Sequence, residues 1–158
     1  MKLFTLPYTL RSAALASMIV LGACSKKDDD TPTPATTYSS TWTVDSKNYT
    51  ATTSSGQVNN SMMALSLTQA TSSSESYSIV MSVPAATGTY SLASGSNIGA
   101  YSTMASGTSA SYLGSAGTVT VTTYSTTEII GTFTMTASTI SSPAVTKTIT
   151  NGKFAIKR

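Results

Sequence analysis

From Tyr38 onward, apolar and polar residues alternate with a period of two, and no apolar stripe recurs at helical spacing. Successive side chains of an extended strand point to opposite faces, so this alternation predicts strands with one face buried. Trp42 and Val44 share one face against Thr41, Thr43 and Asp45. Asp45-Ser46-Lys47 then reads as a turn, and Tyr49, Ala51 and Thr53 return. Gly56-Gln57-Val58-Asn59-Asn60 reads as a loop, rich in residues that punctuate strands. Met63, Leu65 and Leu67 alternate with Ala64, Ser66 and Thr68, and Tyr77, Ile79, Met81 and Val83 form a further inward row that Pro84 stops.

The second half continues the pattern. Gly88 to Leu92 is a short strand, and Ile98–Met104 and Ala110–Leu113 are two more, separated by Gly- and Ser-rich turns. Val119 and Val121 face away from Thr118, Thr120 and Thr122. Ile129, Gly131, Phe133, Met135 and Ala137 face inward against Thr132, Thr134 and Thr136, the clearest alternation in the chain. Val145 and Ile149 precede Asn151-Gly152, and Phe154 and Ile156 follow. An Asn-Gly pair between two such runs predicts a type I′ hairpin, which needs positive φ at both turn positions. The pattern predicts an all-β fold: a single antiparallel β-sandwich or partly open β-barrel of nine or ten strands.

The N-terminus follows different rules. Lys2 and Arg11 precede an apolar run of about nine residues, Ala13 to Leu21. This is too short to cross a bilayer core of about 30 Å as a helix and suits the apolar region of a secretory signal. The run closes on Leu21-Gly22-Ala23-Cys24, which resembles the lipobox of bacterial lipoproteins, with the only cysteine of the chain at its end. The resemblance implies that Leu21, Gly22 and Ala23 are recognised by the signal peptidase and that cleavage precedes Cys24. It also implies that the Cys24 thiol carries a diacylglyceryl group. Each buried methylene adds about 0.8 kcal/mol, so two or three acyl chains make a durable anchor. The next segment, Lys26-Lys27-Asp28-Asp29-Asp30, resembles the export signal that routes Bacteroidota lipoproteins to the outer face of the outer membrane. The three Asp do not make a calcium site, because Ca²⁺ needs 6–8 oxygens arranged by a shaped loop. Thr31-Pro32-Thr33-Pro34-Ala35-Thr36-Thr37 is a spacer with polyproline character. The expected organisation is a signal peptide over 1–23, a lipidated and charged tether over 24–37, and one β domain over 38–158.

Composition narrows the chemistry. The 158 residues include 28 Ser, 30 Thr, one Cys and no His. A Ser-His-Asp triad, a His-ligated metal and an intrachain disulfide are thereby excluded. Only 9% of residues are charged, and the formal charge of +3 is partly a property of the signal: loss of Lys2 and Arg11 leaves 7 basic against 6 acidic residues. Nucleic acid, which calls for clustered Lys and Arg along one face, is not an expected partner. Residues 38–158 hold three acids, Asp45, Glu75 and Glu128, each at a turn or strand end. The paired carboxylates of a glycosidase, about 5–9.5 Å apart, are not suggested by that scatter. No enzymatic activity, metal or cofactor is expected. Lys147, Lys153 and Lys157 read as guards of an edge strand.

Ser40 to Tyr49, then Gly88-Thr89-Tyr90, Ile130-Gly131-Thr132-Phe133-Thr134 and Ile149-Thr150-Asn151-Gly152-Lys153-Phe154 together resemble a family of small Bacteroidota surface lipoproteins. In that family a Trp-x-Val-Asp-Gly-Lys-type hairpin opens the domain and a Thr-x-Gly-x-Phe-type hairpin closes it. This chain has Ser46 where Gly is commoner. The resemblance implies an envelope location and an all-β domain, and transfers no catalytic residue. Binding remains as the expected activity. Trp42, Tyr49, Tyr77 and Tyr90 are expected to pack inward, whereas Tyr101, Tyr112 and Tyr124 are the candidate exposed contacts for a glycan or a protein. An accessory envelope role through one protein partner is the alternative.

Overall fold

The computed structural model describes residues 37–93, 95 and 97–158. Leu21 to Cys24 and Lys26 to Asp30 lie outside the described residues. The chain forms ten strands: β1 (Thr41–Val44), β2 (Lys47–Thr50), β3 (Thr53–Asn59), β4 (Met62–Ser72), β5 (Glu75–Pro84), β6 (Gly88–Ser91), β7 (Ile98–Ala105), β8 (Thr108–Tyr124), β9 (Glu128–Ser138) and β10 (Thr146–Lys157). All pair antiparallel in one sheet of order β2-β1-β10-β9-β8-β7-β5-β4-β3, with β6 also on β8. The sheet curls into a half-barrel, so of the two expected architectures the partly open barrel is the one adopted. β3 packs against β10 without a ladder between them. A Cβ on Gly56 would lie 2.6 Å from Ile129 Cδ1, so β3 comes close to the core here.

The inward rows read from the sequence form the core. Met63, Leu65 and Leu67, then Ile79, Met81 and Val83, then Val119 and Val121, then Ile129, Phe133, Met135 and Ala137 are all buried. The outward rows carry hydroxyl ladders: Thr89 to Thr120, Thr118 to Thr134 and Ser138 to Thr146 are hydrogen bonded across strands. Such cross-strand pairs contribute about 0.2–1 kcal/mol each.

Four expectations are corrected. Gly56 to Asn59 are strand, not loop; the turn is Asn60-Ser61, with φ of 49° and 63°. Asn151-Gly152 is not a hairpin. Asn151, at φ 52°, is an extra residue inside the continuous β10, between the pairs Ile149↔Met135 and Gly152↔Phe133. One residue in the left-handed region makes a bulge, and this one lets Ile149, Gly152, Phe154 and Ile156 share the inner face despite the odd spacing. Ala110–Leu113 is not a separate strand: it belongs to the 17-residue β8, whose pairing with β9 shifts register between Gly114 and Ala116 and again between Val121 and Thr123. Finally, β10 lies between β1 and β9, so Lys147, Lys153 and Lys157 guard no edge. The strand order ends at β2 and β3, and β6 pairs with β8 alone. Asp45-Ser46, with φ of 48° and 69°, form the expected opening turn as type I′ despite the serine.

Candidate functional site

The end of the half-barrel formed by the close of β1 and β7 and the start of β2, β5, β8 and β10 is a cavity of about 340 Å³. That lies at the lower end of the range of about 300–1,000 Å³ for small-molecule sites. Tyr49, Tyr77, Tyr101 and Tyr112 line it, with Val44, Thr103, Ala105, Asp45, Lys47 and Lys147. The tyrosines converge because each stands at an inward position of its strand near this end, where the aliphatic core gives way to aromatic rings.

Trp42 and Tyr49, opposite each other on β1 and β2, are stacked at 5.6 Å with planes 8° apart. Tyr49 tilts 54° against Tyr77 of β5 at 4.7 Å, and Tyr101 lies 5.6 Å from Tyr112 on the adjacent β8. The Lys47 ammonium sits over Tyr49 at 5.3 Å and over Tyr77 at 5.1 Å. The Tyr77 hydroxyl donates to Glu75 Oε1 at 2.6 Å. That bond holds the Tyr77 phenol up at about 12 and the Glu75 carboxyl below its ordinary range, where a hydrogen bond from Thr71 and the Lys47 charge add to the effect. Burial pushes the Tyr101 phenol well above the ordinary phenol range, with Tyr49 the next contributor. Across the mouth, Lys147 Nζ donates to Asp45 Oδ2 at 2.6 Å, which raises the lysine pKa. Two lysines and two carboxylates at or beside the opening make it charge-balanced. Its surface offers ring faces, hydroxyls, donors and acceptors.

The expected contacts divide. Tyr101 and Tyr112 are brought together here, on strands as expected, but not as exposed contacts: they are 2% and 8% exposed. Gly99 and Gly114, beside them on the inner face, leave room for the Met135 side chain. Tyr124 is at the far end of β8, half-buried beneath the Arg158 guanidinium at 5.4 Å, and takes no part in the mouth. Trp42 and Tyr49 are buried as expected, while Tyr77 and Tyr90 are half-buried. The sequence reading missed Lys47 and the pair Asp45–Lys147. The pair joins residues 102 positions apart, which no local pattern signals.

A second hollow, of about 440 Å³, surrounds the β10 bulge and is lined by Thr41, Thr43, Asn48, Thr50, Asn151 and Lys153 with Trp42 and Tyr49. Within it Thr43 already donates to Asn48 at 2.8 Å. Among the described residues no group of three or more His, Cys, Asp or Glu is placed to hold a metal ion.

The chain enters the domain at the end opposite the mouth, where Tyr38 donates to Glu128 at 3.0 Å and the Ser40 hydroxyl accepts from Ala155 N–H at 3.3 Å. Comparison with protein-family models, with curated proteins and with solved structures finds no match for the chain.

Proposed function

We propose that the protein is a lipoprotein anchored to the outer membrane through Cys24 and displayed at the cell surface. Its β domain is a non-catalytic module that binds a glycan or a protein group at the tyrosine-lined mouth. The observation that carries this reading is the convergence of four tyrosines on one cavity at the end of the half-barrel away from Tyr38. Flat rings beside hydroxyls suit the apolar face and polar rim of a sugar, and equally a side chain presented by another protein.

The test has two parts. A broad-specificity protease added to intact cells degrades the protein, and alanine at Lys26 through Asp30 protects it; equal protection of the unaltered chain refutes surface display. Retention on a glycan array or in a pulldown from envelope extracts is lost in Tyr77→Ala. Undiminished retention refutes the assignment of the mouth.

An accessory role through one protein partner is favoured by a different observation. Val80, Ile98 and Leu113 are 43%, 58% and 55% exposed on adjacent strands of the outer face, joined through the pairs Val80↔Ala100 and Ala100↔Leu113. Capture of a partner that survives Tyr77→Ala but not Leu113→Ser selects this reading.

A further inference from the structure

We infer that the ligand group recognised at the mouth is an organic ammonium, and that Lys47 occupies its place when no ligand is bound. The inference deepens the proposed function and rests on it.

Tyr49 and Tyr77 form a V, 4.7 Å between centroids and 54° between planes, and the Lys47 ammonium lies within 5.3 Å of both centroids. A cation within about 6 Å of a ring face is attracted by the ring quadrupole, and paired faces of this kind are how quaternary ammonium groups are recognised. The hydroxyl of Tyr77 donates to Glu75, which sets a carboxylate at the edge of the same ring. Among the described residues the Lys47 ammonium makes no ion pair or hydrogen bond: the ring faces are its direct contacts. The other lysine of the mouth, Lys147, is committed to Asp45 at 2.6 Å. Lys47 is also free to leave. It follows a two-residue turn, its side chain is exposed, and no backbone pairing depends on its head group. The rings stay behind, because Tyr49 is stacked on Trp42 and Tyr77 is fixed by Glu75. The arrangement is a preformed receptor for a positive head group, filled by a tethered surrogate. A ligand ammonium therefore competes with a local one whose effective concentration is in the millimolar range typical of short flexible links.

The experiment uses the full chain in detergent at constant ionic strength. Tetramethylammonium and methylammonium chloride are titrated separately while the ring signals of Tyr49 and Tyr77 are followed by NMR, with sodium chloride as the control. Lys47→Gln, which removes the tethered charge, binds at least one of the two at least tenfold more tightly than the unaltered protein, and Lys47→Arg, which keeps a cation in place, does not. The two salts distinguish a quaternary from a primary ammonium as the preferred group. Equal response of Lys47→Gln and the unaltered protein overturns the inference, as does no ring shift in any variant up to 100-fold above the protein concentration and beyond, to the solubility limit. If the ammonium titrations fail while Tyr77→Ala still abolishes retention on the glycan array or pulldown, the mouth keeps its role and takes another chemistry. If Tyr77→Ala retains everything, the mouth itself is the wrong site.

Discussion

Replacing Gly152 by Asn separates a bulge from a hairpin. Were Asn151-Gly152 a type I′ turn, both positions would need positive φ, and Asn tolerates that region better than most residues. The exchange would then cost a few tenths of a kcal/mol. In the half-barrel Gly152 is instead an inward position of β10, and only Asn151 has positive φ. A Cβ at Gly152 would lie 2.5 Å from Phe133 O, a backbone atom of the paired strand, and 2.6 Å from two atoms of the Phe133 ring. Forcing a side chain into such a place costs about 1–3 kcal/mol, and an amide left without partners among core rings adds about 1–3 kcal/mol. The expected loss is therefore about 2–6 kcal/mol, a large part of the 5–15 kcal/mol typical of a whole domain. Asn151→Gly, which keeps the left-handed conformation open, stays within about 0.5 kcal/mol, and Asn151→Val loses about 1–2 kcal/mol. Urea unfolding reports all three, followed by the fluorescence of Trp42, the single tryptophan and 1% exposed. A Gly152→Asn protein within 1 kcal/mol of the original would refute the bulge and the inward place of Gly152.

Two further outcomes follow from particular contacts. Ser40→Ala removes the acceptor of the Ala155 N–H in a part-buried pair, so unfolding shifts by about 0.5–1.5 kcal/mol in the same urea assay, whereas Ser40→Thr loses less. The Tyr77 phenol, held at about 12 in the fold against about 10 in the unfolded chain, favours the folded state fully below pH 10. That advantage fades as pH rises toward 12, so the stability difference between the original and Tyr77→Phe is constant from pH 7 to 10 and shrinks above it. A difference that persists to pH 12 would contradict the Glu75 hydrogen bond.

The inward rows were legible because strand geometry forces a period of two, and Ile129 to Ala137 show it without interruption. What hid the rest was local breakage of that period. The register shifts of β8 change which parity faces inward between Tyr112 and Val119, so one long strand read as two. The bulge at Asn151 carries the same αL signal as a hairpin turn, and only the pairing of β10 with both neighbours separates the two. β3 is an edge strand with little apolar content, so Gly56 to Asn59 offered no alternation to read. Tyr101 and Tyr112 stand among Gly, Ser and Ala, small residues whose composition does not signal burial, while the rings themselves are buried. The mouth needed more than strand parity: Tyr101 pairs with Tyr112 and Tyr77 stands on the neighbouring β5, but Tyr49 on β2 reaches Tyr77 only because the sheet curls. Lys147 meets Asp45 through the pairing of β1 with β10, which puts Val44 opposite Ile149.

The outward rows of threonine and serine have a consequence for digestion. Between Lys47 and Lys147 there is no basic residue, so an enzyme that cuts after lysine or arginine finds one uninterrupted piece of 100 residues, Asn48 to Lys147. The two lysines that bound it are themselves engaged, one over tyrosine rings and the other with Asp45. To a trypsin-like protease nearly the whole barrel is a blank text even after it unfolds, and resistance to such an enzyme would reflect vocabulary before it reflected rigidity.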